Sequence, residues 1–336
     1  MNRNIDKLIE YVERTVKEHE LAPGCYARWL IQDANGTRDL SSSEYGCADA
    51  ANILYTIGKF PRDLAQREAC IKELQRMQKE DGRFEEPTHH TIHTTAHCVA
   101  ALELFDVSPA LPLTYHMENF GTPEKAVAFL ESLGWDTNPW NESHKGAGFY
   151  AAMVLACNMP LEWQDTYFDW LAEHVDSKTG IGLEGAQNGK RPLLHHFAGW
   201  FHYLFNHIYA HRAIPNAEKA IDTLIWYYEN DLRYGKTYPL GRHMGFADID
   251  WVFIVNRASM QTGYRREEVK ELLREFAETN LNYLEDDIEN LYKTKFDDLH
   301  MLFGVMCTVA ELQMALPGEI KSTIPLKNVL DRRPFI

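Results

Sequence analysis

His93-Thr94-Thr95-Ala96-His97-Cys98-Val99-Ala100-Ala101-Leu102-Glu103-Leu104-Phe105 is a thirteen-residue run with one carboxylate and no Gly or Pro. Its apolar residues fall on every side of a helix, so no polar stripe is left to meet water. Such a helix must be covered on all sides. A strand is a poor alternative, because the run is long and strict alternation is missing. The same character recurs at residues 146–157, 196–209, 249–259 and 299–316.

Between these runs lie segments of a different kind. Ile221, Leu224, Ile225 and Tyr228 follow the i, i+3, i+4, i+7 rule, as do Val269, Leu272, Leu273 and Phe276. Each predicts an amphipathic helix with one face in water. Residues 4–18, 64–77 and 124–133 read the same way. The alternation has a period. Tyr45, His93, His144, His195, Asp248 and Asp297 mark the starts of the apolar helices, at separations of 48, 51, 51, 53 and 49 residues. A period of about fifty, one exposed and one buried helix per unit, is a repeat of helical hairpins that cannot bury their faces alone. The expectation is an all-α fold, an (α/α)6 toroid with six buried helices inside. An open solenoid is the rival. It needs a polar capping repeat, whereas the last run carries Met301, Leu302, Phe303, Val305, Met306 and Val309.

The chain of 336 residues has no Pro/Gly/Ser-rich linker, so it is expected to form a single domain over 1–336, with 317–336 as an extended tail on the surface. A net charge of −15 argues against nucleic acid, whose phosphates need clustered Lys and Arg, and against an anionic membrane. A small anionic ligand remains compatible, because a pocket can differ in sign from the whole molecule. Residues 1–16 lack the apolar stretch of a secretory signal, and no run approaches the roughly 18 apolar residues of a membrane span. The six cysteines are scattered without a Cys-x-x-Cys pair and read as free thiols. A cytoplasmic location is expected.

Residues 70–105 also carry a family likeness. Gln75 and Gln78 are followed by Asp81-Gly82-Arg83-Phe84 and then by His93-Thr94-Thr95-Ala96. This resembles the repeat of terpenoid cyclases and protein prenyltransferase β-subunits, where a Gln…Asp-Gly-x-aromatic turn leads into a buried helix. The resemblance implies a toroid. It covers one good repeat, with residues 176–183 a weaker second copy. The Asp-x-Asp-Asp acid of the cyclases and the Asp/Cys/His zinc set of the prenyltransferases are not matched.

In a toroid the buried helices run in the same direction, so their N-termini meet at one end. Their polar residues gather there: Asp49, His93, His97, His144, Lys145, His195, His196, Asp250, Asp298 and His300. Helix N-termini favour anionic ligand groups. Asp250 and Asp298 are the acid and base candidates, and His93, His144 and His196 are placed to move protons. Asp248 and Asp297 precede apolar runs and read as N-caps. Trp140, Trp200 and Trp251 are candidates to stack on a ligand, and Arg242 to grip a carboxylate. His202, His207 and His211 lie deeper and read as structural. No motif requires a cofactor. His93 and His97, four apart on one helical face, are compatible with zinc if a third ligand comes from another helix. No Walker loop, dinucleotide fingerprint or Gly-x-Ser-x-Gly elbow occurs. These residues suit a hydrolase or lyase acting on a small polar substrate, a carbohydrate or uronic acid derivative. The resemblance offers an isoprenoid or terpenoid enzyme as the alternative. A non-catalytic binding toroid is the third reading.

Overall fold

The computed structural model describes residues 1–183, 188–286 and 296–336. The regular structure is almost all helix. The strands among the described residues are two or three residues long. The helices are α1 (Asp6–Glu18), α2 (Glu44–Thr56), α3 (Leu64–Arg76), α4 (Thr91–Leu104), α5 (Thr114–Phe120), α6 (Pro123–Ser132), α7 (Pro139–Ala156), α8 (Leu161–His174), α9 (Leu193–Tyr209), α10 (Ala217–Asn230), α11 (Ala247–Thr262), α12 (Arg266–Glu285), α13 (Leu299–Ala315) and α14 (Val329–Arg332).

The two expected helix types are both present. Every residue of α11 from Ala247 to Ser259 is buried. In α12, by contrast, Val269, Leu272, Leu273 and Phe276 form a buried stripe on an otherwise wetter helix. The six buried helices pack in cyclic order. Helix α2 lies against α4, α4 against α7, α7 against α9, α9 against α11 and α11 against α13, and α13 also packs against α2. The amphipathic helices cover them from outside, as α10 and α12 do on α11.

The Asp81–Phe84 turn has a clear physical reason. Gly82 has φ +87°, and a Cβ there would lie 2.2 Å from the Pro112 carbonyl oxygen. Gln78 Nε2 donates to the carbonyls of Gly82 (2.9 Å) and Leu111 (2.8 Å). The Phe84 N–H donates to Thr95 Oγ1 (3.0 Å), which ties the turn to α4.

Helix starts differ from expectation in two places. Asp298, not Asp297, caps α13 by accepting from the His300 N–H at 3.0 Å. Asp297 instead pairs with Arg38 at 2.6 Å. Asp248 lies inside α11, whose N-cap position is Phe246, and accepts from the Gly241 N–H at 3.0 Å. The tail also differs from a surface-wrapping strand. Ile320–Lys321 pairs in parallel with Arg3–Asn4. Beyond it α14 forms, and Arg333, Phe335 and Ile336 are buried. Arg332 bonds Glu103 near the end of α4, while Asp331 meets Arg257 on α11. Phe335 reaches Phe205 of α9 at 6.0 Å and His93 of α4 at 4.8 Å between ring centres. The apolar residues Val329, Leu330, Phe335 and Ile336 explain this course: their burial draws the segment inward.

No helix among the described residues is long and apolar enough to cross a membrane. The six cysteines are free thiols.

Candidate functional site

A cavity of about 310 Å³ opens beside the first turns of α4, α7 and α13. Arg28, His89, His93, Trp140, Asn141, His144, His202 and His300 supply its polar and aromatic wall, with Phe246, Met301 and Ile336 as apolar lining. Five imidazoles thus converge from four helices and one loop.

Tyr45 organises the cluster from α2. It is fully buried, and its hydroxyl shares a short hydrogen bond with His93 Nδ1. Its ring stacks on His89 (4.4 Å) and His97 (4.9 Å) and meets His300 edge-on (4.8 Å). His93 lies 4.7 Å from His144, which lies 4.7 Å from His202. The Ser143 hydroxyl and His202 Nδ1 are 2.9 Å apart and share a hydrogen bond. Burial lowers the pKa of His93 and His144 well below the ordinary imidazole value, and that of His202 to about 3. These imidazoles are therefore neutral at pH 7 and can accept a proton or donate an N–H without carrying charge.

Asp49 lies on α2, one turn beyond Tyr45. Its Oδ1 accepts from His97 Nε2 at 2.8 Å and from His300 Nδ1 at 3.2 Å. Burial alone would raise the carboxyl's pKa, but the two imidazoles outweigh it and hold Asp49 below the ordinary range. Burial takes His97 down to about 4. Asp49 Oδ2 and His97 Nδ1 are buried without a partner.

Arg28 is the cation of the pocket wall. It makes a two-pronged ion pair with Asp298 through Nε (2.9 Å) and Nη2 (3.1 Å), and Nη1 donates to Thr88 Oγ1 (2.7 Å). Its guanidinium carbon stands 5.2 Å from the centre of the Tyr45 ring.

The structure brings together His93, His144, His300 and Trp140 at the cavity, with Asp49 and His97 packed against them. Asp298 stands behind Arg28. The remaining expected residues lie elsewhere. Asp250 is fully buried beside Asp248, and neither of its carboxylate oxygens has a partner. Burial raises its pKa well above the carboxylate range and raises that of Asp248 to about 8. Both lie in the interior, and neither Asp250 nor Asp298 is in the cavity wall. His196 is buried with both ring nitrogens unpartnered, and it is not in the cavity wall. His195 faces Trp140 at 5.8 Å. Lys145 is occupied by Glu142 at 2.8 Å. Trp200 packs on Tyr203, and Trp251 stacks on Tyr228 at 4.5 Å in the core. Arg242 is exposed and outside the cavity wall. His202, expected to be structural, lines the cavity.

Sequence reasoning passed over Tyr45 as a mere helix marker and missed Arg28 and His89 altogether. The His89-His90 pair next to His93 was the available signal. Arg28 gave none, because a lone Arg before the first buried helix looks like any surface cation. Comparison with known protein families, curated proteins and solved structures finds no match.

Proposed function

We propose that the cyclic packing of the six buried helices is an (α/α)6 toroid and that the histidine-lined cavity is the active site of a lyase. In this reading the enzyme removes a proton beside the carboxylate of a small uronic acid derivative and eliminates the leaving group. The observation that carries it is the cavity wall itself: five imidazoles, one arginine and no carboxylate side chain. Glycoside hydrolysis needs two free carboxylates across the scissile bond. Here the carboxylates that touch wall residues are already engaged: Asp49 by two imidazoles, Asp298 by Arg28 and Glu86 by Thr88. Elimination asks for other groups. A neutral His93 accepts the proton at one nitrogen while the other stays bonded to Tyr45. Arg28 uses three of its five N–H groups on Asp298 and Thr88, which leaves two and its charge for a substrate carboxylate.

The volume, about 310 Å³, lies at the lower end of the range for small-molecule sites and suits one or two sugar units. An isoprenoid chain would leave the Arg28 guanidinium and the imidazole nitrogens of the wall without partners, so the sugar acid fits better. The test is a panel of uronate-containing oligosaccharides incubated with the protein, followed by near-ultraviolet absorbance of the conjugated double bond that elimination leaves. A rise that His93→Gln abolishes supports the reading. No rise on any member, together with no thermal stabilisation by uronic acids, would remove it.

A further inference from the structure

We propose that Asp49, His97 and His300 form a binding site for a divalent transition-metal ion, zinc being the best fit, with its open coordination position toward the histidine-lined cavity. The proposal stands on donor geometry and does not depend on the lyase reading.

Three packed helices each contribute one ligand: α2 gives Asp49, α4 gives His97 and α13 gives His300. One donor atom from each residue lies within 4.8 Å of the other two. The two separations, 2.8 Å from His97 Nε2 and 3.2 Å from His300 Nδ1 to the same Asp49 oxygen, both fall a little short of what a metal needs. Ligands at about 2.0–2.1 Å from a tetrahedral ion stand about 3.3 Å from each other, so a sub-ångström spreading of His97 from Asp49 admits the ion. Two imidazoles and one carboxylate are a donor set of zinc sites that keep a fourth position open.

The pattern of satisfied and unsatisfied atoms also points to a ligand. Asp49 is 0% exposed, and both nitrogens crowd onto Oδ1 while Oδ2 has no partner. A carboxylate placed only to accept hydrogen bonds would share them between its oxygens, since each unmet buried oxygen is costly. A cation beside Oδ1 would take up both nitrogens and draw on the second oxygen as well. His300 lines the cavity, so an ion held there has its remaining face on the side where a substrate would enter. The chelating set is not the i, i+4 pair His93 and His97: among the described residues the donors that gather are those of Asp49, His97 and His300. Two cations bear on the ion: Arg28 feels the Asp49 charge but is already paired with Asp298. Arg333 is fully buried with its guanidinium 5.3 Å from the centre of the Phe303 ring, in the same interior. Its charge will weaken metal binding without blocking the donor atoms.

Binding would displace the protons that His97 Nε2 and His300 Nδ1 now donate to Asp49, so affinity must fall as pH falls. The experiment uses the full chain, stripped with chelator and titrated with Zn²⁺ by calorimetry and with Co²⁺ by visible absorbance. We expect one ion per chain and intense Co²⁺ bands of low coordination number. His300→Gln and Asp49→Asn should each weaken binding at least 100-fold, while His207→Gln, a buried histidine outside the trio, should leave it unchanged. If a variant does not fold, Co²⁺ competition on the wild-type chain decides alone. Failure to bind one equivalent below about 100 µM, octahedral-only Co²⁺ bands, or binding unchanged in folded His300→Gln would overturn the site.

Discussion

Tyr45 and His93, 48 residues apart, share a hydrogen bond that joins the first turn of α2 to the first turn of α4, with their rings nearly parallel at 7°. His93 lines the cavity and Tyr45 packs behind it, fully buried. Tyr45→Phe leaves the ring stacking on His89 and His97 intact and removes only the hydroxyl. We expect a stability loss of about 1–3 kcal/mol from the unmet His93 nitrogen. The elimination rate should fall on the order of 10²–10⁴-fold, the usual worth of a positioned acid–base group. Melting temperature and rate measured on the same preparation separate the two effects. An unchanged rate in a folded Tyr45→Phe protein would take the pair out of the chemistry.

The Arg28–Asp298 pair should behave as a buried pair. Its side chains are 8% and 15% exposed, so solvent screens it little. Asp298→Ala deletes the ion-pair partner and the cap of α13 together. The expected cost is about 3–5 kcal/mol from the stranded guanidinium, with about 1 kcal/mol more from the cap. Asp298→Asn keeps an acceptor for the His300 N–H and should cost visibly less. Urea unfolding of both variants checks the order. Equal costs would mean that the acceptor for the His300 N–H contributes nothing and that the lost charge carries the whole effect.

Stability should fall on both sides of neutrality, for opposite reasons. Asp248 is raised to about 8 by burial and Asp250 is raised with it. In the unfolded chain both ionise near pH 4. As pH rises from about 4 to about 8, the unfolded state loses protons that the folded state keeps, and stability drops. Asp248→Asn and Asp250→Asn should each flatten that slope and stabilise the protein at pH 8. On the acid side, burial takes His97, His116 and His207 to about 4 and His202 to about 3. Below pH 6.5 the unfolded chain takes up protons that the folded state refuses, so their contribution is present above 6.5 and lost toward pH 4. Urea midpoints from pH 4 to 9 should trace a maximum between these limbs. A flat alkaline limb in the wild-type protein would contradict the neutral buried carboxyls.

Periodicity made the helices readable. The apolar run after His93 has no face for water, and the stripe from Val269 to Phe276 has one, so both helix types follow from residue order alone. Which end of each helix carries the polar residues was also readable, and His93, His144 and His300 do line the cavity. Partner choice was not readable. Asp250 and Asp298 look equivalent in sequence, yet Asp298 meets Arg28 across 270 residues and Asp250 meets nothing. The inward course of the tail was missed because Val329, Leu330, Phe335 and Ile336 are too few to show a period. Trp251 could have stacked on a ligand or on the core, and only the neighbouring Tyr228 decides it.

The position of α2 depends on a glycine, which gives the last prediction. A Cβ on Gly46 would lie 2.2 Å from the Tyr26 carbonyl oxygen and 2.6 Å from the Ala27 carbonyl carbon, both backbone atoms. Backbone cannot swing aside, so Gly46→Ala must push α2 away from residues 26–28 or bend that segment. A Cβ on Gly148 comes no closer than 3.3 Å to the Ile92 carbonyl oxygen and the Phe335 ring, which a shift of a few tenths of an ångström relieves. We expect Gly46→Ala to cost about 3 kcal/mol or more and Gly148→Ala about 1 kcal/mol or less, read from urea midpoints. The larger effect carries a functional signature. Tyr45 precedes Gly46 and Asp49 follows it by three residues, so a displaced α2 loosens both the Tyr45–His93 bond and the Asp49 pairing with His97 and His300. Gly46→Ala should therefore weaken Zn²⁺ binding and elimination together, at temperatures where the protein is still folded. Equal stability costs for the two glycine variants, or full metal affinity in Gly46→Ala, would show that α2 does not need this close approach to hold the site.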